Sequence, residues 1–142
     1  MEDICIFIPP DQQRDGLEFV HFVYEANLKK LRQPFVHAIT YMQLVVRGEG
    51  VLRTDAGEFP LRKGDLFFTF PHQTYHLTAD DAFAFLYISF AGERAERLLR
   101  ERKIGPHNCV FSGIDGLSRF WMDAIILVDQ RNSGLLAESV FT

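Results

Sequence analysis

The stretch that decides the fold runs from Tyr41 to His76 and reads YMQLVVRGEGVLRTDAGEFPLRKGDLFFTFPHQTYH. Its apolar runs are short, and turn-forming residues separate them. The Gly-Glu-Gly triplet at 48–50 ends the first run, and Asp-Ala-Gly at 55–57 is typical of a hairpin turn because glycine tolerates positive φ. Lys-Gly-Asp at 63–65 predicts another turn. Several short strands at this spacing favour an all-β sandwich or barrel over a fold that alternates strands and helices.

Further strands are predicted on both sides of this stretch. Residues 17–26 are rich in Phe, Val and Tyr, and residues 83–90 form the last strong strand. Side chains alternate between two faces of a strand, which places Arg47 on the same face as Gln43. The opposite face is apolar and consists of Met42, Leu44 and Val46. Both faces should therefore be covered, one by a barrel interior and the other by helices.

The composition changes after residue 92. Residues 93–103 predict a charged helix with opposite charges at i,i+4 spacing, and a Gly-Pro pair ends it. A Ser-x-x-Asp sequence at 112–115 resembles a capping box and opens a second, amphipathic helix. A third helix starts at Leu135 and meets no stop signal before Thr142, so we expect the chain to be a fragment of a longer protein.

Composition and charge limit the classes of function. At 142 residues the chain is one domain that can bury a substantial core. Its formal charge of −4 argues against binding nucleic acid by itself, because phosphate neutralisation needs clustered Lys and Arg. The acidic start is not a secretory signal, and no run reaches the ~18–20 apolar residues of a membrane span. We therefore expect a soluble protein without membrane association.

Cysteine and phenylalanine usage adds two further expectations. Cys5 and Cys109 lie far apart and form no zinc or CxxC spacing, which indicates a reduced, cytoplasmic setting without excluding a disulfide. Fourteen Phe residues are many for this length. They serve either as ordinary core side chains or, in part, as the walls of a cavity.

An ordered set of short motifs resembles known proteins. The spacing of Gly64, Pro71 and His76 after the Gly-x-Gly at 48–50 is similar to the double-stranded β-helix of the cupin superfamily. More narrowly, LVVRGEG at 44–50, PLRKGDL at 60–66 and YISFAG at 87–92 resemble the effector-binding domain of AraC-type transcription regulators. The resemblance covers residues 17–92 well and the remainder loosely.

This resemblance implies a mainly β fold with helices at the end. Residues 17–92 would form a cupin-like, jelly-roll barrel, and residues 93–142 a helical dimerisation segment packed on the barrel. Residues 1–16 would form an arm that lies over the ligand pocket; an edge strand or a frayed end is the alternative. A DNA-binding domain would follow residue 142.

Arg47 is the first candidate for ligand binding. It ends an apolar strand on the Gln43 face, where a guanidinium offers several donors to hydroxyl or carboxylate oxygens. By resemblance it matches the ligand-contacting arginine of the sugar-binding member of the family. A solvent-exposed arginine at a strand end is the alternative. Gln43 has either a structural or a ligand-binding role.

The resemblance adds further candidates at the end of the barrel sequence. Tyr87 matches an aromatic residue that stacks on the sugar, and Thr78 and Phe85 fall where the family places ligand contacts. Because Thr78 and Phe85 depart from the sugar binder, the pocket should be less polar and the sugar cannot be named. His76 either packs as a hydrogen-bonded structural residue or contacts the ligand.

Metal and nucleophilic chemistry are not expected. Cupin metal sites use two His and a Glu on one strand and a His on a later strand. His76 fits the later position, but Gln43 stands where the carboxylate would lie, and only His37 and His72 remain as further ligands. Neither cysteine has a recognisable His partner, and no phosphate loop or Gly-x-Ser-x-Gly occurs. We predict no metal, no cofactor and no catalytic residue.

The apolar stripe of the second helix is either core or part of a dimer contact. In the resembled family the helices after the barrel also pair between two copies. The dimerisation candidates are Trp121, Ile125, Leu136 and Val140.

These observations predict the effector-sensing and dimerisation domain of an AraC-type regulator. A small molecule, a sugar or a related compound, would bind in the barrel of a homodimer and control DNA binding by a domain outside this chain. The first alternative is a metal-independent cupin enzyme of the sugar isomerase or epimerase kind, for which His76 with Tyr41 or Tyr87 is the acid–base pair on offer. The second is a stand-alone carbohydrate-binding module.

Overall fold

A computed structural model describes residues 4–7, 18–28 and 31–112. Its strands are β1 (Ile4–Phe7), β2 (Glu18–Glu25), β3 (Thr40–Arg47), β4 (Glu49–Thr54), β5 (Gly57–Arg62), β6 (Leu66–Thr69), β7 (His76–Ala79), β8 (Ala84–Ala91) and β9 (Val110–Phe111). Helix α1 spans Glu93–Glu101. Most of the predicted arm and the second and third predicted helices lie outside the described residues. The same holds for the dimerisation candidates Trp121, Ile125, Leu136 and Val140.

Two antiparallel sheets form the body of the domain. The larger has six strands in the order β1-β2-β8-β3-β6-β9, and the smaller has three in the order β5-β4-β7. Short strands rich in β-branched and aromatic residues, separated by Gly-containing turns, give this arrangement. The prediction of a mainly β fold is confirmed.

Strand β3 connects the two sheets. It lies between β8 and β6 in the large sheet and then passes through Gly48 into β4 of the small sheet. Gly48 has a φ of +80°, and a Cβ at this position would lie 2.6 Å from the Phe83 amide nitrogen. Glycine is therefore required there by both the backbone conformation and the space.

Helix α1 covers part of the outer face of the large sheet. Ala95 and Leu99 of the helix are buried, and Leu99 lines one cleft together with Met42 of β3. The Met42 face is therefore the outer face, and α1 follows the sequence-predicted helix over 93–103 closely. The other face of β3 is directed toward the small sheet.

Candidate ligand-binding site

The strand register identifies the side chains on the inward face of the large sheet. Tyr41 lies opposite Ser89, and Gln43 lies opposite Tyr87 of β8. On the far side of β8, His21 of β2 also lies opposite Ser89. Because directly opposed residues of neighbouring strands share a face, these five side chains form one surface.

The polarity of this surface changes along the strands. One end is polar, and we name its residues the polar row: His21, Tyr41, Thr69 and Ser89. The middle is mixed and contains Val23, Gln43, Phe67 and Tyr87. The far end is mainly apolar and contains Val45 and Phe85 beside the buried Glu25.

The small sheet supplies an apolar wall that faces this surface. Leu52 of β4 lies opposite Leu77 of β7, and both are at most 2% exposed. Leu61 of β5 is equally buried. Tyr75, just before β7, is 3% exposed and brings a phenol to the polar row. The small sheet thus contributes buried aliphatic side chains to the core, and Tyr75 contributes a phenol near Gln43 and Thr69.

Hydrogen bonds join the polar side chains of the interior. The Gln43 amide nitrogen donates to Thr69 Oγ1 over 3.1 Å, and Gln43 is 1% exposed. The Tyr75 phenol lies near both of these side chains, and its hydroxyl lies 2.9 Å from His37 Nε2. His37 comes from the segment between β2 and β3. A buried amide at this position is therefore satisfied by protein partners, as burial of a polar group requires.

A second pair of hydrogen bonds holds the outer end of the polar row. The His21 amide donates to Ser89 Oγ over 2.9 Å, and His21 Nδ1 lies 2.7 Å from the same oxygen. Ser89 is fully buried. This arrangement fixes the His21 ring beside Tyr41, with ring centroids 6.3 Å apart.

Six aromatic rings form a ring stack along the interior. In spatial order they are Phe35, His37, Tyr41, Tyr87, Phe85 and Phe83, with successive centroid distances of 6.0, 4.0, 5.1, 5.7 and 5.6 Å. The first four contacts are close to parallel, with interplanar angles between 11° and 27°. Such offset stacks present flat ring faces at van der Waals distance.

Burial favours the neutral forms of the two imidazoles and of the phenol near the polar end of this surface. It lowers the pKa of His21, and it lowers the pKa of His37 together with the repulsion from His21. Burial also raises the pKa of the Tyr75 phenol, an effect that hydrogen bonds with Thr69 and Gln43 partly offset. At neutral pH the polar row therefore consists of neutral donors and acceptors.

Three of the predicted ligand residues lie together on the inward surface. Gln43 and Tyr87 are cross-strand neighbours, and Phe85 stacks on Tyr87 with centroids 5.7 Å apart. Gln43 and Phe85 are buried, and Tyr87 is partly buried. The structure thus gives these three side chains a shared location, and their ligand contacts stay a prediction.

Arg47 does not share the face of Gln43, because the register shifts just before it. Val45 pairs with Phe85 but Arg47 pairs with Ala84, so Val46 is an extra residue and the alternation is reversed. Arg47 is exposed, and its Nε donates to the Ala82 carbonyl oxygen over 2.7 Å. The expectation of a common face was wrong, and a ligand contact by Arg47 stays a prediction.

His76 and Thr78 also lie away from the inward surface. Both belong to β7, where the inward positions are taken by Leu77 and the preceding Tyr75. His76 and Thr78 are exposed on the outer face. Thr78 lines a separate cleft of about 450 Å³ near the Asp80–Asp81 turn. Their predicted ligand contacts are therefore not brought together with Gln43 and Tyr87.

Sequence reasoning missed most of the polar row. One available signal was the alternation in residues 75–79, where Tyr75 and Leu77 share a face and thereby place His76 outward. Thr69 and Ser89 could have been found by pairing β6 and β8 with β3, since both residues lie opposite Tyr41. His37 gave no local signal as a ring-stack member, since it lies in an irregular segment.

Neither a metal centre nor a membrane helix occurs in the part of the chain that the structure describes. No group of three or more His, Cys, Asp and Glu side chains is placed to hold a metal ion there. The same residues contain no helix long and apolar enough to cross a bilayer.

Comparison with solved structures reveals similar folds. The AraC-like transcriptional activator CuxR superposes with a TM-score of 0.54 at 15% identity, over 87% of this chain and 47% of that chain. A cupin superfamily protein from Desulfitobacterium hafniense DCB-2 gives a TM-score of 0.44 at 16% identity, over 63% and 78%. The Schizosaccharomyces pombe Cnp3 cupin domain gives 0.45 at 19% identity, over 72% and 71%. The chain thus spans about half of the CuxR chain.

Sequence comparison identifies the family. No curated protein matches the chain significantly. The family model described as the AraC-like ligand binding domain, however, matches residues 20–141, which is most of the sequence. This range contains the inward surface, the ring stack and helix α1. The chain therefore belongs to the family of AraC-like ligand-binding domains.

Proposed function

We propose that this chain is the effector-sensing and dimerisation domain of an AraC-type transcription regulator. A small molecule, a sugar or a related compound, binds inside the barrel and controls DNA binding by a helix-turn-helix domain outside this chain. The observation that carries the proposal is the inward surface around Gln43 and Tyr87, which is neutral, hydrogen-bonded and aromatic. It occurs in a family of ligand-binding domains.

The chemistry of this surface suits an uncharged ligand with hydroxyl groups or a flat face. Amide, hydroxyl and phenol groups can each donate and accept, as in Gln43, Thr69 and Tyr75. The apolar wall of Leu52 and Leu77 supplies contact area beside them. A few convergent polar groups in an apolar surround are the usual composition of a small-molecule site.

Regulation would then depend on contacts outside the barrel. We propose residues 1–16 as an arm over the pocket, residues 17–92 as the barrel and residues 93–142 as the dimerisation segment of a cytoplasmic homodimer. The effector can shift the balance between two arrangements of these parts only by as much as its affinities for them differ.

A metal-independent cupin enzyme of the sugar isomerase or epimerase kind is the second candidate. One observation favours it, since His37 Nε2 lies 2.9 Å from the Tyr75 hydroxyl, a distance suited to proton transfer. Burial raises the pKa of the Tyr75 phenol, however, which opposes its ionisation at neutral pH. We therefore favour binding without chemistry. A stand-alone carbohydrate-binding module would share the same pocket and lack an attached DNA-binding domain.

A thermal-shift screen of sugars, glycosides and small aromatic compounds tests the proposal. We expect at least one compound to raise the unfolding temperature, because a ligand of the folded form alone stabilises it. The Tyr87→Leu substitution should weaken the affinity for that compound by about tenfold or more, because the ring contact is lost. Tyr87→Phe keeps the ring and should retain most of the affinity. Isothermal titration calorimetry measures both.

The exposed candidates provide the controls. His76→Ala and Arg47→Ala change side chains outside the inward surface and should leave the unfolding temperature nearly unchanged. If the hit binds equally well to wild type and Tyr87→Leu but loses affinity in these variants, the ligand lies on the outer face and the proposed pocket is wrong. Chemical conversion of the compound by the protein would instead support the second candidate, a metal-independent cupin enzyme.

A further inference from the structure

The His37 imidazole is a member of the ring stack that does not come from a strand. It lies on the face of Tyr41 with centroids 4.0 Å apart and planes 11° from parallel. Phe35 also stacks on the imidazole, with centroids 6.0 Å apart and planes 25° from parallel. His37 Nε2 lies 2.9 Å from the Tyr75 hydroxyl. A flat ring with one hydrogen bond is thus already accommodated here.

The backbone around His37 is fixed, whereas its side chain is partly exposed. The His37 carbonyl accepts from the His72 amide over 2.7 Å, and Phe35 and Tyr75 exchange two backbone hydrogen bonds of 2.9 and 3.0 Å. The imidazole can therefore leave Tyr41 by rotation about its own side-chain bonds while the segment stays in place. Its departure would uncover the Tyr41 face and the Tyr75 hydroxyl together.

The charges of the surrounding side chains indicate whether a charged or an uncharged ring can bind here. Among the described inward residues there is no Lys or Arg, and Arg47 is exposed and bound to the Ala82 carbonyl. Glu25, which is 7% exposed, lies in the far row of the same surface. The described inward residues would offer an anionic ligand no cation in exchange for its hydration, so an uncharged ring is favoured.

We propose that His37 occupies the place of the effector's own ring. The effector is a small, uncharged aromatic or heteroaromatic compound that stacks on Tyr41, hydrogen-bonds to Tyr75 and turns the His37 imidazole outward. This inference rests on the proposed function and narrows its ligand from a sugar or related compound to a flat ring. His37 then acts as an internal competitor that sets the affinity.

Removing the His37 ring and supplying it as a free molecule tests the proposal. We expect the 142-residue chain with His37→Gly to bind imidazole at least about tenfold more tightly than wild type. The titration is done at pH 8, above the usual imidazole pKa of about 6.5, so that the probe is neutral. Two-dimensional NMR should show the largest shifts on the Tyr41 and Tyr75 rings.

His72→Gly is the matched control. His72 is exposed and has a φ of +62°, so glycine removes an imidazole there without backbone strain. This variant should bind imidazole no better than wild type. Equal affinities of wild type, His37→Gly and His72→Gly would overturn the proposal. The proposal would also be overturned if the double variant His37→Gly, Tyr41→Leu bound imidazole as tightly as His37→Gly alone.

Ring compounds and a sugar, compared as ligands, separate this inference from the proposed function. His37→Ala is used here and also replaces His37→Gly if that variant does not fold. We expect nicotinamide to bind wild type, to bind His37→Ala about tenfold more tightly, and to be preferred over the anionic nicotinate. A sugar such as arabinose that binds wild type and His37→Ala equally would support the sensing function and overturn the ring proposal. Nicotinamide that binds both proteins equally, or neither, would also overturn it.

Discussion

At the scale of single residues, the neutral state of the polar row and of the adjacent His37 depends on the burial of two imidazoles. His21 is held by Ser89, and His37 stacks on Phe35 and Tyr41. Desolvation lowers the pKa of each ring, and the nearby His21 lowers that of His37 further. Protonation of either ring would place a charge on a half-buried group, which desolvation opposes.

The lowered pKa values predict a loss of stability on acidification. Between the folded-state pKa of these rings and the unfolded value of about 6.5, the unfolded chain binds more protons. The free energy of unfolding therefore falls as the pH drops below about 6.5 and is fully retained above it. His37→Gln, which keeps a neutral polar side chain, should make this decline shallower. Urea unfolding between about pH 5 and 8 measures the slopes.

The exposed His72 is the control for the pH experiment. His72→Gln makes the same change at an exposed position of the neighbouring segment and is measured in parallel. Identical slopes for wild type and His37→Gln would show that burial of His37 does not contribute to the acid response.

At the scale of elements, the end of β3 determines which residues face the interior. The register shift between Val45 and Arg47 turns Arg47 outward, and Gly48 then lets the chain cross to the small sheet. The crossing is tight, since a Cβ on Gly48 would lie 2.6 Å from both the Phe83 nitrogen and an Asp80 carboxylate oxygen. The bulge and the crossing together separate the guanidinium from the polar row.

Because the crossing is tight, one added methyl group at Gly48 should have a strong effect on the stability of the domain. Gly48→Ala should destabilise the domain by at least about 2 kcal/mol, through a strained φ and a clash with backbone. Gly57→Ala is the matched control, because Gly57 also has a positive φ, of +138°, but no atom lies within 4 Å of its added Cβ. Its cost should be smaller, about 1 kcal/mol. Denaturant unfolding compares the two, and a Gly48→Ala loss no larger than that of Gly57→Ala would contradict the steric account.

At the scale of the whole molecule, two sheets of unequal size enclose one surface with a polar end and an apolar end. The aliphatic wall of Leu52, Leu61 and Leu77 belongs to the buried core. The polar row is where a guest can be recognised, and helix α1 covers the opposite, outer face of the large sheet.

The predicted dimer is tested on the complete chain. Light scattering should give about twice the chain mass of 16.4 kDa. Leu136→Asp or Val140→Asp should reduce it to the monomer, because a buried charge without a partner opposes an apolar contact. Thr78→Asp, which places the same charge on the exposed face of β7, should remain dimeric. A wild-type monomer at high concentration would refute the proposed dimerisation.

Local sequence patterns predicted the strands well and the site only in part. Turn residues and short apolar runs placed β2 to β8 nearly where they lie, because these signals act over a few residues. Gln43 came from side-chain alternation and Tyr87 from the family resemblance, and the two lie opposite each other because the register is regular along the middle of β3 and β8. Arg47, His76 and Thr78 were placed less well. The bulge at Val46 turns Arg47 to the outer face, and the alternation from Tyr75 to Ala79, which sequence reasoning did not use, places His76 and Thr78 outward.

The sequence by itself determined that this chain forms a small β domain with glycine turns and belongs beside the AraC-like ligand-binding domains. Only the tertiary structure decided which side chains meet inside it. Tyr75, Thr69, His37 and Gln43 span residues 37–75, and no local pattern relates them. Their contact depends on sheet register and on the path of an irregular segment, and both are settled by packing over the whole domain, not by neighbouring residues.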